Sequence, residues 1–242
     1  MRHVIAILAL TAALTASGAT LPTAPSATVL VGGSPVAEVV TSAGAYVAAV
    51  IGTEYEIRLT NPTSDRVGVA LSVDGLNVLD GKAPDGLSFF SGDRLWILAP
   101  GETATIPGWQ VSGATARRFT VSREADSYAR KMGKATRLGV IRAVFVEERA
   151  AQNWIYVGAD MQGTPAGHTL TSTLGQVSTS LGTAMGASTT HQVTEVEFER
   201  GPQLGAVELR YVTPAELQAV LRSPPVAPVG KWAPEPEKQA RR

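Results

Sequence analysis

The sequence contains no cysteine, only three histidines in 242 residues, and few aromatic rings, at 6%. Without thiols there is no disulfide staple, no thiolate zinc cage, no cysteine nucleophile and no side chain to carry a lobe of lipid at a cleavage site. Charge of one sign is also lacking. The 21 Lys and Arg balance the 21 Asp and Glu, so nothing electrostatic points to nucleic acid or an anionic membrane surface as partner. No apolar run reaches the about 20 residues of a membrane helix. Strand–helix alternation is missing too, which argues against a parallel α/β sheet.

What is present starts with export. Met1-Arg2-His3 is a short basic segment, Val4 to Leu14 is apolar, and Ser17 and Ala19 are the small residues that signal peptidase requires. The expected cut follows Ala19, with a weaker alternative after Ser26. The expected layout is a signal peptide over 1–19, a flexible leader over 20–28, one β-sandwich domain over 29–222, and a Pro-rich disordered tail over 223–242. The expected location is the periplasm or the exterior.

Between them, short strands and turn signals recur. Gly32-Gly33-Ser34-Pro35 breaks an apolar segment into two strands. Tyr55 to Thr60 and Val67 to Val73 alternate with period two, the second putting Val67, Val69, Leu71 and Val73 on one face. Asn61 to Asp65, Asp74-Gly75, Asp80-Gly81 and Ala99-Pro100-Gly101 read as turns. Leu76 to Leu79, Leu95 to Leu98, Glu102 to Ile106 and Phe119 to Val121 add strands, and Val140 to Val146 is apolar enough to be central. Val193 to Phe198 and Val207 to Tyr211 alternate again. A helix is expected over Ala125 to Met132, closed by Gly133. Another opens at Thr213, where Pro214 suits the first position and Glu216 completes a capping box. Residues 158–190, rich in Gly, Ser and Thr, read as a long loop. The fold class expected is mainly β, an antiparallel β-sandwich with one short inserted helix and a short C-terminal helix.

One pattern spans most of the mature chain, from Gly52 to about Leu221. It runs Gly52-Thr53-x-Tyr55-Glu56-Ile57-x-Leu59-x-Asn61, then Ser72-Val73-Asp74-Gly75-Leu76-Asn77-Val78. Pro100-Gly101, Gly108-Trp109, Ser127-Tyr128-Ala129 and Gly139-Val140-Ile141-x-Ala143-Val144-Phe145 follow. It resembles a family of exported bacterial proteins of unknown function built on a single β-rich domain. Leu181 to Gly186 is similar to that family's glycine-rich segment, though with less glycine, and Leu209-x-Tyr211 and the terminal helix also fit. The resemblance implies one β domain and brings no activity, ligand or catalytic residue.

Chemistry is sparse. After cleavage only His168 and His191 remain to assist a hydroxyl nucleophile, and neither Gly-x-Ser-x-Gly nor Ser-x-x-Lys occurs. No catalytic residue, metal ligand set or cofactor is assigned. Gly182 to Ser188 lacks the lysine of a phosphate loop. Asp74, Asn77 and Asp80 form an oxygen cluster, with ligands at every third position rather than the alternate positions of a calcium loop; two Asp-Gly turns explain them more simply. Trp96 reads as core. Trp109 and Trp154 could be partly exposed rings for a glycan. The carboxylate pairs Glu147-Glu148 and Glu195/Glu197 carry no mark of burial that a glycosidase acid would need. The candidate binding residues are therefore Asp74, Asn77, Asp80, Trp109 and Trp154. The reading is an envelope module that binds a protein or glycan partner without catalysis; a hydrolase of envelope polymers and a structural subunit of an envelope assembly are the alternatives.

Overall fold

A computed structural model describes residues 23–83, 94–149 and 179–222. Two seven-stranded sheets pack face to face. The first holds β1 (Ser26–Val31), β2 (Ser34–Pro35), β5 (Glu54–Thr60), β9 (Thr103–Ile106), β10 (Gly108–Gln110), β11 (Thr115–Arg123) and β13 (Leu181–Thr190). The second holds β3 (Glu38–Thr41), β4 (Gly44–Ala48), β6 (Val67–Val73), β7 (Leu76–Asn77), β8 (Trp96–Leu98), β12 (Val140–Glu148) and β14 (Arg200–Val212). The chain is mostly β, as its alternating runs require. All pairings are antiparallel except β4 with β14, which run parallel from Leu209↔Ala45 to Val212↔Ala48.

Alternation places the core. In β5 the buried Tyr55, Ile57 and Leu59 face the second sheet while their neighbours stay half-exposed or exposed. In β6 both faces are buried. Val67, Val69, Leu71 and Val73 join the main core, and the outward Gly68 lies under Leu95 and Phe198, where a Cβ would sit 2.9 Å from each. Strand β12 lies between β6 and β14, the central position its apolar run predicts.

The turns follow their residues. Gly32 and Gly33, with φ of 57° and 77°, close the β1–β2 hairpin, and Asp74 and Gly75, with φ of 53° and 81°, close β6–β7. Positive φ at both central positions is the two-residue turn that matches strand twist. Helix α2 (Pro214–Arg222) begins with the expected capping box: Thr213 Oγ1 accepts from Glu216 N at 3.2 Å, and Glu216 Oε2 accepts from Thr213 N at 2.7 Å. Its Leu217 packs on Tyr46 and Val212, outside the main core.

Four expectations need correction. Strand β1 begins at Ser26, inside the stretch read as flexible leader, because Ser26 to Leu30 pair with β5. The loop expected over 158–190 ends sooner: Leu181–Thr190 is a strand along β11, and residues 158–178 lie outside the described ones. Val193 to Phe198 is extended but belongs to no sheet. The inserted helix is shorter than Ala125 to Met132, being a 3-10 turn (Glu124–Asp126) followed by α1 (Tyr128–Lys131) capped by Ser127. The tail over 223–242 lies outside the described residues.

Candidate functional site

Three places in the sandwich gather chemistry: a buried cluster on Asp74, an apolar pocket beside it, and a groove along one open side.

Asp74 turns its side chain inward from the β6–β7 turn and is fully buried. Oδ2 accepts from the Thr183 amide at 2.6 Å, and Oδ1 accepts from the Gly139 amide at 2.8 Å and from the Tyr211 hydroxyl. Thr183 Oγ1 lies 2.8 Å from the Tyr211 hydroxyl and 2.7 Å from that of Tyr55. Each hydroxyl has a single proton, so the carboxylate sets the direction of the whole chain. Tyr211 donates to Asp74, Thr183 donates to Tyr211, and Tyr55 donates to Thr183. The relay crosses from β5 and β13 in one sheet to β14 and the β6–β7 turn in the other. Burial pushes the Asp74 carboxyl up to about 6 against the pull of its three hydrogen bonds. Burial, and then the charge of Asp74, hold Tyr55 and Tyr211 well above the ordinary tyrosine range. The chemistry of this cluster is to tie the sheets together.

The candidate oxygen cluster therefore does not converge. Asn77 Oδ1 accepts from the Leu79 amide at 2.8 Å, and its Nδ2 donates to the Arg94 carbonyl at 2.9 Å. Asp80 Oδ1 accepts from the Lys82 amide at 3.0 Å, a turn contact. Among the described residues no three His, Asp or Glu side chains are placed to hold a metal ion. Trp109, read as a ring that could be exposed, is core: it is 1% exposed and packs edge-on to Phe119 at 5.5 Å and against Tyr128 at 4.9 Å. Trp154 and His168 lie outside the described residues.

Beside the cluster, a pocket of about 290 Å³ opens between the sheets at the end where β4 leads into β5. The Tyr55 and Tyr211 rings line it, together with valine and alanine side chains from β1, β4 and the β4–β5 connection.

The groove is larger, about 1530 Å³, and lies where β8 and β9 part into different sheets. These strands are consecutive, joined by a turn in which Glu102 N donates to the Ala99 carbonyl at 3.1 Å. The buried Asn61 anchors that turn through Nδ2 contacts to the Leu98 and Ala99 carbonyls. Among the described residues β8 pairs only with β6, and β9 only with β5, so each presents a second edge. The extended stretch from His191 to Glu199 borders the groove. Its ends are held, at Val193 N to the Gly113 carbonyl and at the Glu199 carbonyl to Arg149 N. Between them, no main-chain hydrogen bond joins Thr194 to Phe198 to any other described residue.

Side chains fix this stretch instead. Arg94 pairs with Glu195, Arg66 Nη2 donates to the Glu197 carbonyl at 2.9 Å, and the Arg66 guanidinium sits 5.8 Å from the Phe198 ring centroid. His191 packs on Trp96 with centroids 5.5 Å apart, and its Nδ1 meets Gln110 Oε1 at 2.9 Å. That partner is an amide and not the carboxylate that orients a general-base histidine, and burial pulls the imidazole below its ordinary value. The Trp96 indole N–H is buried and meets no partner among the described residues. The sequence marks His191, the Glu195/Glu197 pair and the alternation of 193–198 at this site, and gives no sign of Gln110.

Comparison of the chain with family models, curated proteins and solved structures finds no match.

Proposed function

We propose that this chain works in the bacterial envelope as a non-catalytic interaction module that takes a protein partner along the side groove. One observation carries the reading: a stretch with the alternation of a strand, Thr194 to Phe198, makes no backbone–backbone hydrogen bond to any described residue and lies beside a groove flanked by two strand edges. An extended polypeptide can complete such a site by main-chain hydrogen bonding, with the Trp96–His191 pair and Phe198 supplying apolar contact. The glycan version loses support, because Trp109 is core and the Asp74, Asn77 and Asp80 side chains are engaged locally.

The test places a photo-crosslinking residue at Thr194, with Gln218 on α2 as control, in the full chain in cells. A protein adduct is expected at Thr194 alone. Val196→Pro removes an N–H that bonds to no described residue and should abolish the adduct, whereas Val196→Ala should keep it. No adduct at Thr194, or one indifferent to Val196→Pro, overturns the reading. Export is tested separately by sequencing the envelope product, whose first residue is expected to be Thr20; an uncleaved cytoplasmic chain contradicts it.

A further inference from the structure

The pocket at the β4–β5 end has a chemistry unlike the groove's. We infer that it binds one alkyl chain of a single-chain lipid, such as a free fatty acid, independently of any partner in the groove.

Its wall is hydrocarbon. Val29, Val47, Val121 and Ile141 are buried, while Val31 and Val50, 40% and 60% exposed, carry the lining out to the surface. Exposed Ile51 follows directly after Val50. The Tyr55 and Tyr211 hydroxyls are committed to the relay that ends on Asp74. Thr53 supplies the other side-chain hydroxyl of the lining. A polar ligand atom pushed inside would lose its water with almost nothing to replace it, so the inserted part must be hydrocarbon.

The frame is already formed. Ala49 N donates to the Val212 carbonyl at 2.8 Å, Gly52 N to the Val121 carbonyl at 2.8 Å, and Val121 N to the Thr53 carbonyl at 2.9 Å. These bonds fasten the β4–β5 connection to both sheets, so an occupant need not order the wall.

Size selects the occupant. A cavity of roughly 150 Å³ is enough for a benzene ring. At about 290 Å³ this pocket exceeds what one aliphatic side chain of a partner protein fills, and unfilled volume weakens a contact. It sits at the lower end of the volumes usual for small-molecule pockets, which suits one chain rather than the two of a diacyl lipid. One flexible chain, entering past Val31 and Val50 with its polar head left in water, fits both limits.

The experiment titrates the mature protein with linear saturated fatty acids of increasing length, below their micellar concentrations, by calorimetry. Affinity should rise roughly fourfold per added methylene while the chain fills the pocket, and then level off. Ala49→Phe, which fills the pocket, should weaken binding at least tenfold; should that variant misfold, Val50→Asp at the mouth should do the same. Gln218→Ala, on the exposed face of α2, should leave it unchanged. A flat dependence on chain length, binding indifferent to both pocket variants, or sedimentation with diacyl phospholipid vesicles without fatty-acid binding would overturn the inference. Loss of the Thr194 crosslink would leave it standing, because the two sites share no residue.

Discussion

The Asp74 cluster and the side groove both bring polar groups to the boundary between the sheets, and they use them in opposite ways. In the cluster every donor meets an acceptor: three donors satisfy one carboxylate, and three hydroxyls relay in a single direction. In the groove the main-chain N–H groups from Thr194 to Phe198 bond to no described residue, and of the carbonyls only that of Glu197 has a partner, Arg66. Burial explains the difference. In the sealed cluster an unmet hydrogen bond is costly and the polar groups satisfy one another; the exposed main chain from Thr194 to Glu197 can be met by water until a ligand replaces it.

The comparison breaks most visibly at Asp74. Asp74→Asn turns an amide N–H₂ toward backbone donors at Gly139 or Thr183 and should cost about 3–5 kcal/mol in urea unfolding. The pH dependence sharpens this. The folded carboxyl sits at about 6, above its unfolded value of 3.8, so its stabilising contribution is fully present below the unfolded value and is lost as pH rises through the folded one. The gap in stability between wild type and Asp74→Asn should therefore narrow by about 3 kcal/mol between pH 3.5 and pH 7. A gap that widens with pH would refute the assignment.

Gly182→Ala comes next. A Cβ there would lie 2.5 Å from Ser127 Cβ and 3.3 Å from Asp74 Oδ2, so the strand must shift away from the cluster, at about 2–3 kcal/mol. Tyr211→Phe cuts the relay and leaves Thr183 and Asp74 each short of a partner, at about 2 kcal/mol. Thr213→Ala, at the capping box, should cost about 1 kcal/mol. Val196→Pro in the groove should change stability least, by under about 0.5 kcal/mol, because its N–H holds no described residue. All four are read from urea midpoints at constant m.

Local chemistry explains what was legible in the sequence. The Gly32-Gly33 and Asp74-Gly75 turns, the alternation of β5 and the Thr213–Glu216 capping box each declare themselves within a few residues. Strand β13 did not, because Leu181 to Thr190 carries glycine and small residues where strands favour β-branched and aromatic ones. Its glycines serve close packing: Gly182 lies against Ser127, and a Cβ on Gly186 would meet Thr120 Oγ1. Val193 to Phe198 alternates as a strand does, but no strand among the described residues pairs with it. Asp74 read correctly as a turn residue. Its role as a hub was invisible, since its partners lie 65, 109 and 137 residues away along the chain. Asn61, Asp74 and Asn77 all hold main-chain groups in place.

Amide hydrogen exchange on the free mature protein tests the central contrast directly. The account predicts that Gly139 and Thr183, whose N–H groups donate to the buried carboxylate, exchange only with global unfolding, while Thr194 to Phe198 exchange near the rate of an unstructured chain. Strong protection across Thr194 to Phe198 would mean that this stretch is already paired, and the groove would lose its claim as the open site.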